Sequence, residues 1–151
     1  MPHPRDVPAS LLLPRLASEL KKRQSVQPPA WASIVKTGVH KQRAPTDPEW
    51  WYLRSASVLR KVYLNGRIGV ARLSAEYGGK RDRGSAPYHA RTGSRAVLRE
   101  IVQQLERSGL VRPGKARGRE VTPEGVRLLD TLSGQALKEL AESRPELAKY
   151  L

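Results

Sequence analysis

Residues 94–132 read SRAVLREIVQQLERSGLVRPGKARGREVTPEGVRLLDTL, and their spacing decides the fold. Val97, Leu98, Ile101, Val102 and Leu105 recur at helical intervals. They predict a helix that starts at Thr92 or Ser94, runs to about Ser108 and stops at Gly109. Arg95, Arg99 and Gln103 project from its other side. Two short strands are expected next, Leu110–Arg112 and Arg119–Thr122, around a turn that holds Gly114 and Gly118 and carries Lys115 and Arg117. Thr122-Pro123-Glu124 then combines a capping hydroxyl, a proline in the first turn and an acid at the positive end of the dipole. It opens a helix striped by Val126, Leu128, Leu129 and Leu132 that is expected to break near Gly134. A charged helix from Gln135 to about Glu142 and a short tail, Pro145–Leu151, finish the chain.

Upstream, DPEWWYLRSASVLRKVYLNG (47–66) is the clearest helix. Asp47 can cap it, Pro48 suits the first position, and Asn65-Gly66 suits a left-handed stop. Trp51, Ser55, Val58, Leu59 and Val62 line one face, and Arg54 and Lys61 share another. Trp51 is expected in the core, whereas Trp50 fits a core position and a surface one equally well. Ile68-Gly69 can form a short strand, and VARLSAEY (70–77) gives two helical turns ended by Gly78-Gly79. Helix, strand, helix, loop, helix, basic-tipped hairpin, helix is the order of a winged helix-turn-helix domain. The fold class is therefore mainly α. A winged helix-turn-helix core over 47–133 has a small β-hairpin wing, with extra N-terminal and C-terminal helices. A helix and connection precede the core over 1–46, a helix and tail follow over 134–151, and the whole reads as one domain.

In the first of these flanks, Asp6 and Pro8 mark a helix start, and Leu12, Leu13, Leu16 and Leu20 recur along it. Pro14 is awkward there, because inside a helix it removes a backbone hydrogen bond, so the helix is expected either to start later than Pro8 or to kink at Pro14. Pro28-Pro29 breaks the chain before a short turn that packs Trp31 inward. A polar connection follows, with Lys36, His40, Lys41 and Arg43. His40 reads as a surface or RNA-contacting residue, since His3 and His89 form no metal-type spacing with it.

Charge is the compositional outlier among the 151 residues: 28 Lys and Arg oppose 14 Asp and Glu, a formal net charge of +14. Half of the 28 basic residues but only four of the 14 acids fall within 36–99, which makes the middle of the chain the expected binding region. Such a charge favours polyanions, nucleic acid first. Cysteine is absent, which excludes disulfides, thiolate metal sites and thiol nucleophiles and fits an intracellular location. No apolar run approaches the length of a membrane span, no secretory signal is visible, and no membrane partner is expected. No carboxylate pair, nucleophile–base set or phosphate-cradling motif stands out, so neither an enzyme nor a cofactor is expected.

Within that middle region, GGKRDRGSAPYHARTGSRAVLRE (78–100) sets six basic residues, Lys80, Arg81, Arg83, Arg91, Arg95 and Arg99, against Asp82 between Lys80 and Arg99. Residues 78–93 read as a long polar loop, expected to be mobile until nucleic acid fixes it. The candidate interface comprises Lys36, Lys41, Arg43, Arg54, Lys61, Lys80, Arg81, Arg83, Arg91, Arg95, Arg99, Lys115 and Arg117. Its cations are spread over five segments, which suits irregular RNA helices, where phosphates and shape dominate. A DNA-binding winged-helix regulator is the alternative, and a protein scaffold using the near-neutral C-terminal third is a further one.

The motifs VKTGVHKQRAP, DPEWWYLRSASVLRKVYLNGRIGVARLSAEYGGKRDRG, PYH and QQLERSGLV…GREVTPEGVRLLD resemble small-subunit ribosomal protein nineteen-e, a family of archaea and eukaryotes. The resemblance runs from Asp6 to about Leu132, and the short chain looks like an archaeal member. It implies a mostly helical, winged-helix-type protein, monomeric in the head of the small ribosomal subunit. There it would be bound to ribosomal RNA, beside neighbouring head proteins and in the cytoplasm, and needed for subunit maturation. The RNA-facing positions it carries over are Arg54, Arg60, Lys80, Arg81, Arg83, His89 and Arg99. For Arg60 a structural role within the fold is equally open. Arg95 and Glu100 depart from the family pattern.

Overall fold

The structure is a computed structural model that describes residues 3–146. Among them are five α-helices, one 3-10 turn and four strands: α1 Ala9–Lys22, the turn Ala30–Ser33, α2 Trp50–Asn65, α3 Val70–Glu76, β1 Gly79–Arg83, β2 Ala86–Arg91, α4 Arg95–Arg107, β3 Val111–Pro113, β4 Arg119–Val121 and α5 Pro123–Ser143. The molecule is mainly helical, with two separate antiparallel hairpins, β1–β2 and β3–β4.

A single buried cluster draws on every helix and on the second hairpin, including Leu12, Leu16, Leu20, Trp51, Leu59, Leu73, Ile101, Leu110 and Leu129. Each such aliphatic side chain contributes about 1.5–3 kcal/mol by leaving water. The α1 stripe lies against α2 and α5, and the apolar stripe of α4 lies against α2 and α3. Trp51 is fully buried, and its indole N–H donates to Gln104 Oε1 at 2.9 Å. The same amide donates to the Gln27 carbonyl at 2.7 Å and accepts from the Gln27 amide at 3.2 Å. Gln104 thus satisfies the indole N–H of Trp51 and ties the segment after α1 to α4, a role that the apolar stripe of α4, which does not include it, did not announce.

Several local expectations are corrected. The loop expected over 78–93 is the β1–β2 hairpin, with Lys80 paired to Ala90 and Arg81 to His89. Gly84-Ser85 forms its two-residue turn. Gly84 has φ +69°, and its N–H donates to Asp82 Oδ1 at 2.8 Å. A glycine first in a two-residue hairpin turn matches the strand twist. The break expected near Gly134 is absent: α5 runs unbroken to Ser143, because Leu129, Leu132, Ser133, Ala136 and Leu137 keep one buried face through it. That face outweighs the ~1 kcal/mol helix penalty of one glycine.

α1 begins at Ala9, directly after Pro8, and runs through Pro14 to Lys22. Pro14 and Ser10 are both exposed, so the Ser10 carbonyl that Pro14 cannot serve faces water. The predicted strand at Ile68-Gly69 is a single bridge from Ile68 to Arg119 at the side of β4. α2 begins at Trp50, two residues later than a cap at Asp47 would give. Asp47 Oδ1 accepts from the Glu49 N–H at 2.8 Å and holds the preceding turn. The expected tail is described only to residue 146, and 147–151 lie outside the described residues.

Candidate nucleic-acid interface

The first hairpin is held at its base by backbone. Gly38 bridges Gly93, the Ser94 N–H donates to the Thr37 carbonyl at 2.9 Å, and the Gly93 N–H donates to the Ser74 carbonyl at 2.7 Å. The 36–43 connection is thereby laid across the hairpin base and the start of α4, where the Ser94 hydroxyl accepts from the Val97 N–H. Lys36, Lys41 and Arg81 line one open groove, and Lys36, Arg81 and Arg95 line the next. Arg81 also joins Arg83 and Arg91 around a third, and Lys41 joins Arg43 and Arg54 around a fourth. Shared lining residues make these grooves one continuous surface. It brings together eight of the predicted cations, from four stretches of sequence.

The charges on this surface lack carboxylate partners. Eight ion pairs occur among the described residues, and their cations are Arg15, Lys21, Lys22, Arg23, Lys61, Arg107, Arg112 and Arg119. Of the predicted interface, Lys61 alone is among them, bound to Glu76 at 2.8 Å. The carboxylates Asp47 and Asp82 do line this surface, but each accepts a local backbone N–H.

Lys80, Arg81, Arg83, His89, Arg91, Arg95 and Arg99 are exposed, with Lys80 Nζ lying 5.0 Å from the centre of the Tyr88 ring. Arg54 is more enclosed. Its guanidinium stacks 4.4 Å from the centre of the Tyr77 ring, and burial lowers its pKa, opposed by Tyr77. Arginine stays a cation nonetheless. Burial also pushes the Tyr77 hydroxyl up to about 12, while its 2.6 Å hydrogen bond with Ser57 and the charge of Arg54 pull the other way.

Other predicted cations fall elsewhere. Arg60 Nη2 donates to the Pro4 carbonyl at 3.3 Å, which fastens the N-terminal segment to α2. Lys115 and Arg117 are exposed at the tip of the second hairpin, where Gly114 packs beside Arg67. They line none of the four grooves.

His40 is a supporting residue that spacing did not reveal. Its ring wedges between Gly38 and Gly79, so closely that a Cβ on either would lie 2.6 or 2.9 Å from it. Desolvation lowers its pKa, with Lys41 and Arg54 adding to the effect. The two glycines that make room for it stand two and 39 residues away, so no local pattern could announce the packing. Arg67 and Arg72 are exposed and in none of the ion pairs, and were not singled out because each sits alone in its stretch.

No group of three or more His, Asp or Glu among the described residues could hold a metal ion, and no helix there is long and apolar enough to cross a membrane. A protein from Aeropyrum pernix named small ribosomal subunit protein eS19 is 49% identical over 148 residues, covering 97% of each chain. Its namesake from Thermoplasma volcanium is 43% identical over 145 residues, 96% of each chain. Small ribosomal subunit protein eS19A of Schizosaccharomyces pombe is 41% identical over 138 residues, 91% of this chain and 96% of its own. All three carry the name of a ribosomal protein rather than of an enzyme, in line with the expectation of no catalytic role. The family model for Ribosomal protein S19e matches residues 3–139, which takes in the hairpin, the connection and every helix that builds the basic surface. With relatives this similar over almost their whole length, the chain belongs to the Ribosomal protein S19e family.

Proposed function

We propose that the protein is a structural constituent of the small ribosomal subunit that grips ribosomal RNA with its continuous basic surface. The observation that carries this reading is the run of cations from Arg54 through Lys41 and Arg81 to Arg95, none of them in an ion pair with a carboxylate. Cations outside any ion pair remain available to phosphates, and each phosphate neutralised releases condensed counterions. Family membership supports a place in the subunit head, beside other head proteins, as a monomer with a part in subunit maturation in the cytoplasm.

The chain is one domain in this reading, and the order α2, α3, α4, β3–β4, α5 supports a winged-helix core with α4 in the recognition position. Arg95 and Arg99 lie on the exposed side of α4, as such a helix requires. DNA regulation fits less well, because the basic surface spans four stretches of chain rather than one groove-sized element. Arg54, Lys80, Arg81, Arg83, His89 and Arg99 are the contacts this reading values most, and Arg60 and Lys61 the least.

Sedimentation of the endogenous protein tests the class. Cofractionation with small subunits at low salt, and release of a free pool as salt rises, is the expected outcome. Purified protein should lose about 10³-fold or more in affinity for small-subunit RNA between 50 and 200 mM salt, as six or more phosphate contacts require. A salt-independent affinity would sink the electrostatic grip.

A further inference from the structure

Between the 41–47 segment and the first turns of α2 lies an open pocket of about 380 Å³. Its chemistry is mixed in a way a simple phosphate clamp does not need. Lys41, Arg43 and Arg54 supply cations, Trp50 and Leu53 supply apolar surface, and Asp47 supplies a carboxylate. Trp50 is only partly buried, set edge-on to the buried Trp51 with ring centroids 5.3 Å apart. A large aromatic beside solvent, next to cations outside every ion pair, is a stacking platform with phosphate anchors. Asp47 would repel a bare phosphate. One of its oxygens already serves the Glu49 N–H, and a carboxylate beside a stacking ring accepts from bases that present N–H donors.

We propose that this pocket receives one unpaired nucleotide, extruded from an RNA helix, with its base against Trp50 and its flanking phosphates on Lys41, Arg43 and Arg54. The size supports a single nucleotide, since the volume is near the low end for small-ligand pockets and too small for a base pair. Asp47 favours guanine, whose Watson–Crick edge offers two parallel N–H donors, over uracil, which offers one. The proposal rests on the RNA-binding reading above and adds a point of sequence and shape selection to it.

The test uses the full chain and three short RNA hairpins that differ at one position: fully paired, with a bulged G, or with a bulged U. The bulged-G hairpin is expected to bind about tenfold tighter than the paired one, the size of one base–aromatic stack, and to quench tryptophan emission. Trp50→Leu, which keeps apolar packing but removes the ring, should erase both the preference and the quench. The Lys41→Ser/Arg43→Ser double variant, in an exposed segment, should erase the preference as well and keeps the test usable if Trp50→Leu fails to fold. Asp47→Asn retains an acceptor for the Glu49 N–H and should remove the G-over-U difference alone. Lys80→Ala/Arg81→Ala/Arg83→Ala should weaken all three RNAs alike and leave their ratios intact.

Equal affinity for bulged and paired RNA, with steep salt dependence kept, overturns the pocket and leaves the RNA-binding reading standing. A preference that survives both Trp50→Leu and Lys41→Ser/Arg43→Ser also overturns it. Failure of every RNA to bind overturns both readings. An acidic peptide such as oligoglutamate that quenches Trp50 as strongly as the bulged-G hairpin assigns the pocket to a protein neighbour instead.

Discussion

The two hairpins are built on opposite terms. The second, β3–β4, is rooted in the core: Leu110 just before it is fully buried, Val111 is buried, and Ile68 bridges β4. Its root cations are tied down, Arg112 to Glu120 and Arg119 to Glu106. The first, β1–β2, has no buried residue in either strand, and none of its four arginines and lysines is in an ion pair with a carboxylate. It is held by backbone at its base and by the His40 wedge. One hairpin serves the fold and leaves two cations at its tip, whereas the other leaves nearly every side chain to solvent. A hairpin with no core of its own, fastened only at the base, is positioned for contact rather than for stability.

The sharpest way to break that contrast is to cut each hairpin where it should hurt. Leu110→Ala is expected to cost about 2–5 kcal/mol in chemical denaturation, as a fully buried leucine should. A loss under ~1 kcal/mol would show that the second hairpin is not rooted in the core.

The turn glycines give a matched pair. Gly84 and Gly118 have φ +69° and +85°. A Cβ meets nothing within 4 Å at Gly84 but lies 3.0 Å from the Ile68 backbone at Gly118. Each alanine carries the left-handed penalty of about 1–2 kcal/mol, and Gly118→Ala should exceed Gly84→Ala by about 1 kcal/mol more through the clash. Equal thermal shifts would erase the distinction.

Lys80→Ala/Arg81→Ala/Arg83→Ala should move stability by no more than ~0.5 kcal/mol, because the three side chains are exposed and in no ion pair with a carboxylate. The same variant should flatten the salt slope of RNA binding by about two to three units, one per lost phosphate contact. An unfolded triple variant would mean that these side chains hold the hairpin together.

The smallest effect is a local one with pH. Burial holds the His40 pKa below its ordinary value of 6.5, so the unfolded chain takes up a proton there before the folded one does. The stability His40 contributes is therefore complete above 6.5 and declines as pH falls below it. Amide exchange at Gly79 and Lys80, corrected for its intrinsic pH dependence, should quicken from pH 7.5 to 5.5, with β3–β4 unchanged. Parallel responses of the two hairpins would remove His40 from the anchor.

The same contrast explains what could be read in advance. The β3–β4 hairpin was legible because Leu110, Val111 and Val121 face inward at its two ends and glycines sit in its turn. In β1–β2 no apolar alternation exists, since both faces meet water, and only the Gly84-Ser85 dipeptide signalled a turn. The continuity of α5 through Gly134 was hidden for a related reason: helix propensity is local, but the face that overrides it is set by contact with α1 and α2.

The sequence by itself determined the helical stripes, the order of elements, the excess of positive charge in the middle of the chain and the family likeness, because each depends on residues near one another along the chain. Tertiary structure alone decided which of those cations share a surface. Lys36 and Arg81 are brought to one groove by a backbone bridge at Gly93, while Arg60 and Lys61, both nearly two turns beyond Arg54, are drawn to the Pro4 carbonyl and to Glu76. Charge can be counted in a sequence, but whether a given cation meets a carboxylate, a carbonyl or open solvent depends on what long-range packing sets beside it.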